Sequence, residues 1–305
     1  LGDTNGLNDT FVAYLFAHEE AAFGPNLDQE IISCGSYTGN TSTLPTVNLG
    51  WEPQVVMIKN ATDEGEDWMI YDSMRGISHG GSAIKLMVND NGQESTSSTF
   101  FHLTSTGFQI TSPSNNAINK NSSTYVYVAI RAAVGNMITP PDAGTKVFAM
   151  DVGSGSSTVP NWDSTFPVDF GIMKDPSANA GWYASTRLIY GKEQKIDNTP
   201  GSEGTWAYAV FDSMAGWQNF SGHNSDDQSW MWRRHAGFDV VGYTGTGSAT
   251  TVNHSLGQAP KMIWVKSRGG SDDWQVYHFG ANGGTNPSHY RLRLNTTDGE
   301  DDNAG

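Results

Sequence analysis

Cysteine is almost missing: the chain of 305 residues has one, Cys34. A single thiol makes no internal disulfide and no cysteine-based zinc site. Charge is scarce too, at 16% of residues against about 25% in a typical soluble domain. What charge there is leans one way, with 17 Lys+Arg, 32 Asp+Glu and a net of −15. No Lys/Arg cluster is available to neutralise phosphates, which excludes nucleic acid as a partner. Long apolar runs are missing as well. The best, residues 125–134, is broken by Arg131 and falls short of the roughly 18–20 residues of a membrane-inserted helix. Common enzyme signatures such as H-E-x-x-H, Walker A and G-x-G-x-x-G do not occur. His18-Glu19-Glu20 opens like a zincin helix but has no second His at the required spacing. The first residue is Leu1, without Met or a signal-like segment, which reads as a processed product or a piece of something longer.

What the chain has in quantity is glycine, 35 residues, with 10 Trp and 11% aromatic residues overall. Disorder combines high charge with few aromatics, so this composition belongs to a folded protein with many turns. Short β-branched or aromatic runs recur at about ten-residue intervals, separated by Gly, Asn, Asp, Ser and Pro. They are Val55–Lys59, Trp68–Tyr71, Ala83–Val88, Phe100–Leu103, Gly107–Ile110 and Thr124–Ile130. No helix-length amphipathic stretch accompanies them. The expected fold is all-β, built of antiparallel β-sandwich modules of jelly-roll or lectin-like type arranged in tandem.

The tandem arrangement follows from an internal repeat. Tyr37-Thr38-Gly39 recurs as Tyr243-Thr244-Gly245, and Leu49-Gly50-Trp51-Glu52-Pro53 as Leu256-Gly257-Gln258-Ala259-Pro260. Val55-Val56-Met57-Ile58-Lys59 matches Met262-Ile263-Trp264-Val265-Lys266, and Asp67-Trp68 matches Asp273-Trp274. Lys85-Leu86-Met87-Val88-Asn89 matches Arg291-Leu292-Arg293-Leu294-Asn295. A weaker copy lies between, with Phe170-Gly171-Ile172-Met173-Lys174, then Gly181-Trp182, preceded by Lys146–Asp151. Copies about a hundred residues apart are whole domains, too long for solenoid repeats of roughly 20–50 residues. The expected division has residues 1–17 as the closing strand of a preceding module and 18–132 as module 1. A divergent module 2 takes 133–235, and 236–305 forms a partial module 3. Phe11–Phe16, Tyr125–Ile130 and Trp230–Trp232 are read as closing strands, and Phe238–Tyr243 as the equivalent of Ile31–Tyr37.

Leu49–Gln54, Trp68–Gly76, Ser229–Arg234 and Val240–Gly245, continuing through His254–Gly257 and Met262–Lys266, resemble repeat modules of tailed-phage virion proteins. Such modules are common in marine phages, including cyanophages. The middle copy departs from the pattern: it lacks Leu-Gly-Trp-Glu-Pro and the Asp before Trp182. The resemblance implies a virion-surface location and a tail-fibre or appendage role in host attachment, without catalysis. The implied partners are other copies of the chain, other virion proteins and a host-surface glycan. Competing readings are a capsid-decoration or connecting protein, a polysaccharide-degrading enzyme, and a glycan-binding lectin module.

Several groups are candidates for chemistry. Asp67 and Asp72 could act as paired acids on a glycosidic bond, or simply form turns. Acidic runs at 63–67, 224–227 and 298–303 offer oxygen ligands for Ca²⁺, though none has EF-hand spacing; no other cofactor is implied. Trp182, Trp206 and Trp217 sit among polar residues and are candidate sugar platforms, since a pyranose stacks its C–H face on an aromatic ring. Trp68, Trp264 and Trp274 are expected to pack internally. Trp230, Trp232, Arg233 and Arg234 are candidate interface anchors, because Trp and Arg dominate binding hot spots. Lys59, Lys174 and Lys266 each end an apolar run, where a charge keeps a strand end solvated.

Overall fold

The computed structural model describes residues 10–11, 13, 15–16, 18, 30–77, 83–95, 101–113, 115–131, 144–155, 159–189, 191–197, 204–205, 209–218, 226–234 and 237–302. Among them the only helical elements are four short 3-10 turns, and everything else regular is antiparallel strand. The alternation read from sequence sets this up. In Thr124–Ile130 the side chains of Tyr125, Tyr127 and Ala129 share one face of the strand, and Val126, Val128 and Ile130 the other.

Module 1 contains β1 (Ile32–Thr38), β2 (Thr46–Asn48), β3 (Pro53–Asn60), β4 (Met69–Asp72), β5 (Lys85–Met87), β6 (Phe101–Thr104), β7 (Gly107–Ile110) and β8 (Thr124–Arg131). One sheet has the order β1-β8-β3-β4-β5 and the other β2-β7-β6. The pairs β1·β8 and β2·β7 are nested, first strand with last and second with next-to-last, as in a jelly roll. Between the sheets lie Val56, Ile58, Tyr71, Tyr125 and Ala129 from one side and Phe101, Leu103, Phe108 and Ile110 from the other. Aromatic stacking fills the middle. Tyr71 lies 4.5 Å from Phe101, and Tyr37 lies 5.0 Å from Tyr125, each pair adding about 0.5–1.5 kcal/mol beyond its buried area. Burial holds the Tyr37 and Tyr71 hydroxyls well above the usual phenol range. Tyr37 Oη donates to Ile118 O at 2.6 Å, so it is not left unsatisfied.

Module 2 repeats the main sheet. It contains β9 (Phe148–Val152), β10 (Trp162–Asp163), β11 (Phe170–Lys174), β12 (Trp182–Thr186), β13 (Lys192–Lys195), β14 (Gly204–Thr205), β15 (Gly216–Trp217) and β16 (Gln228–Trp232). The order β9-β16-β11-β12-β13 matches β1-β8-β3-β4-β5, with β14 added at the edge. A two-stranded sheet, β10-β15, forms the second layer and pairs Trp162 with Trp217. Those two rings lie 5.2 Å apart, and Phe211 stacks on Trp217 at 5.0 Å. Gly171 makes room for this core, since a Cβ there would fall 2.4 Å from the Trp217 ring.

Module 3 has a single sheet among its described residues, β17 (Met262–Val265), β18 (Gln275–His278), β19 (Tyr290–Arg293) and β20 (Asp301–Asp302), in that order. The strand expected at Phe238–Tyr243 does not form. In module 1 the equivalent β1 pairs only with β8, and no strand stands beside 238–243 among the described residues. Of the closing strand expected at Phe11–Phe16, the described residues Phe11, Ala13, Leu15 and Phe16 are not in strand, and Leu15 is 90% exposed. Val12, Tyr14 and Ala17 fall outside the described residues.

Candidate functional site

The most elaborate polar chemistry in the described chain sits where modules meet. Arg234, just after β16, is buried, and its side chain joins all three modules. Its Nη1 and Nη2 donate to the Glu52 carboxylate of module 1 at 2.5 and 2.8 Å, and its Nε donates to Asp239 of module 3 at 2.8 Å. Its backbone N–H donates to Asp169 Oδ2 at 2.9 Å. Burial works against the guanidinium charge, but Glu52, then Asp239 and Asp169, outweigh it and hold its pKa above the ordinary value. Arg187 forms a second tie. It is buried, donates through Nη2 to Val168 O at 2.6 Å and pairs with Asp169 at 3.2 Å. It also reaches across to Ser73 O of module 1 at 3.2 Å.

A third tie joins modules 2 and 3. Trp274 is packed with Ile172 and Ala184 of module 2, and around this centre lie Phe170, Ile196, Trp230, Trp232 and Leu294. The Trp274 indole N–H donates to Lys195 O at 2.7 Å. A local clasp holds Trp274 in place: its backbone N–H donates to Asn295 Oδ1 at 2.8 Å, and Asn295 Nδ2 donates to Asp273 at 2.9 Å. Module 1 carries the same clasp, with Trp68 N–H to Asn89 at 2.8 Å and Asn89 to Asp67 at 2.8 Å.

The candidate residues separate against this background. Arg234, Trp230 and Trp232 do lie at interfaces, and the interfaces are between modules of one chain. Arg233 is half-buried, and its backbone N–H donates to Val147 O at 2.9 Å. Trp217 is not a sugar platform. It is fully buried in the module 2 core, and its indole N–H donates to Ser229 Oγ at 3.0 Å. Its polar sequence neighbours belong to the turn around it and gave no warning of this. Trp206 lies outside the described residues. Trp182 stacks on Trp230 at 5.2 Å and is over a third exposed, so part of its ring remains accessible. Of the tryptophans expected to pack internally, Trp274 does, whereas Trp68 and Trp264 remain over a third exposed.

The acids are mostly engaged. Asp67 holds the Asn89 clasp, and Asp72 pairs with Arg75 and accepts the Arg75 N–H at 2.8 Å. In the run at 298–303, Asp301 pairs with Arg291 and Arg293 at 3.1 and 2.8 Å, and Arg293 also reaches Asp298 at 3.5 Å. Asp63 accepts hydrogen bonds from Lys120, Ser123 and Asn60, which together hold its carboxyl down to about 2. Among the described residues, only the run at 224–227 gathers further acid. Asp226 and Asp227 meet Asp175, with carboxylate oxygens all within 4.8 Å of one another. Asp175 was not visible in sequence because it lies far away, immediately after β11. Three such carboxylates suit a hard cation if carbonyls and water complete six to eight oxygens.

The lysines have a structural use. Lys59 Nζ donates to Glu66 O, Lys266 Nζ to Asp272 O at 2.5 Å, and Lys174 Nζ to Ala178 O at 2.8 Å. Each folds over the loop after its strand and satisfies a carbonyl there. Gly76-Ile77-Ser78-His79-Gly80 has the spacing G-x-S-x-G. That motif carries chemistry on a strand-to-helix turn, and the described residues of module 1 contain no helix. Ser78, His79 and Gly80 lie outside the described residues.

Sheets and junctions together define a multi-module all-β protein whose units are tied by buried ion pairs and aromatic packing. The chain belongs to a family described as a domain of unknown function (DUF7483), whose model matches residues 2–133 and 185–305. No curated protein and no solved structure matches it.

Proposed function

We propose that the chain is a non-catalytic structural component of a bacteriophage virion, part of a tail fibre or related appendage that contacts the host surface. The observation that carries this reading is the repeated main sheet, tied to its neighbours through Arg234 and Trp274. Chains that project binding surfaces gain from such joints, because coupled modules present several weak sites at high effective concentration. The use of Asp67 and Asp72 in a clasp and a turn favours this reading over a glycosidase. The partners are other copies, other virion proteins and a host-surface glycan, with the Trp182–Trp230 stack as the sugar-facing candidate.

Immunogold labelling of phage particles with antibody to this chain tests the proposal. Gold along tails or fibres supports it. Gold on capsid faces with bare tails would replace it with the capsid-decoration reading. Release of reducing ends from host polysaccharide by the purified protein would replace it with a depolymerase.

A further inference from the structure

The outer face of module 1's main sheet is apolar where a wet face should be polar. An antiparallel sheet with one solvated side alternates apolar-in and polar-out. In module 1 the face turned away from the core carries Val126, Val128 and Ile130 on β8, Met57 on β3, Ile70 on β4 and Leu86 on β5. Trp68 and Val88 flank it, 38% and 58% exposed.

Modules 2 and 3 show what becomes of the corresponding face. By the repeat, Trp274, Val276 and Leu294 of module 3 correspond to Trp68, Ile70 and Val88. In module 2 the same positions are Trp182, Ala184 and Ile196. A backbone bond marks the equivalence in all three: Val88 N–H to Trp68 O at 2.9 Å, Ile196 N–H to Trp182 O at 3.0 Å and Leu294 N–H to Trp274 O at 3.1 Å. These faces pack against each other. Trp274 and Leu294 join Ile172, Ala184 and Ile196 in one cluster, Trp274 is 5% exposed, and its indole reaches Lys195 O. The contact is thus made by two copies of one face that bury each other unequally: Trp274 is sealed against module 2, while Trp182 stacks on Trp230 of its own sheet.

We propose that the outer face of module 1 pairs with the same face of a second copy of this chain, as modules 2 and 3 pair within one chain. In the place of Trp274, Trp68 of one copy covers Met57 and Ile70 of the other, and its indole N–H, which has no hydrogen-bond partner among the described residues, donates to Met87 O of that copy, the counterpart of Lys195 O. Val88 takes the place of Leu294 at the rim. The Asp67–Asn89 clasp presets the Trp68 backbone for this as Asp273–Asn295 does for Trp274. This pairing goes beyond the virion reading and holds or fails independently of it.

Sedimentation equilibrium of the 305-residue chain, with Val88→Glu and Trp68→Arg variants, tests the pairing. The expected result is a reversible dimer whose dissociation constant rises at least tenfold in each variant. The dimer should also slow alkylation of Cys34, which lies on this face opposite Val128. Val88 is mostly solvent-exposed in one chain, so Val88→Glu leaves the fold intact, which far-UV circular dichroism checks. A chain that stays monomeric at hundreds of micromolar overturns the proposal. So does a dimer that Val88→Glu and Trp68→Arg leave unchanged, since another surface then holds it.

Discussion

Arg234→Ala is the most informative single perturbation, because one side chain joins three modules. It removes three charge-assisted hydrogen bonds, two to Glu52 at 2.5 and 2.8 Å and one to Asp239 at 2.8 Å. Hydrogen bonds to charged groups contribute about 1.5–3 kcal/mol each, which sets a ceiling of roughly 5–9 kcal/mol if nothing relaxes. Relaxation is expected at Glu52, whose side chain is 11% exposed and can draw in water, and less at Asp239, which is 4% exposed. Breaking a buried pair by removing one partner typically costs about 3–5 kcal/mol, and that is the expected loss. Arg234→Lys keeps the charge but not the paired geometry, so it should lie between wild type and Arg234→Ala. Urea unfolding at pH 7, followed by tryptophan fluorescence, gives the loss. Calorimetry gives the second signature, a single transition in wild type separating into two or more as the modules uncouple. A loss below about 1 kcal/mol, with one transition retained, would refute the view that Arg234 ties the modules together.

The smaller joints make comparable predictions. Asn89→Ala and Asn295→Ala each delete a backbone and a carboxylate bond and should cost about 1–2 kcal/mol; Asn295→Ala should be the worse because Trp274 is a junction residue, and equal effects would argue against that role. Gly171→Ala drives a methyl into the Trp217 ring and should cost about 1–3 kcal/mol by overpacking, read from the shift of the urea midpoint. Asp63, held down by Lys120, then Ser123 and Asn60, binds its proton less readily folded than unfolded. Its contribution is therefore present above the ordinary carboxyl value of 3.8 and is lost as pH falls from there toward about 2. Asp63→Asn should flatten the melting temperature against pH in that window; an unchanged slope would remove Asp63 as a source of acid lability.

The parts of this molecule that were legible in sequence are those set by local pattern. Val55–Lys59 and Met262–Lys266 announce their strands through apolar runs closed by lysine, and the structure reuses that lysine identically as a cap on the following loop. The weak middle copy was legible for the same reason, since Phe170–Lys174 keeps that run. What local pattern cannot encode is the partner across a sheet or a junction. Trp217 and Trp182 have similar polar neighbours, yet one is sealed against Trp162 and Phe211 while the other faces outward. Phe238–Tyr243 has the sequence of β1 without being a strand, because the strand propensity of an edge segment is realised only beside a partner. Arg234 could be suspected as an anchor from its neighbours Trp230 and Trp232. Glu52 could not be paired with it, since 182 residues separate the two. Trp68 and Trp274 make the point most sharply. They share residue type, clasp and backbone geometry, and differ only in whether a second sheet face stands in front of them. The exposure of Trp68 is therefore a property of its surroundings, and a surface with the local design of a buried one is where a partner should be sought.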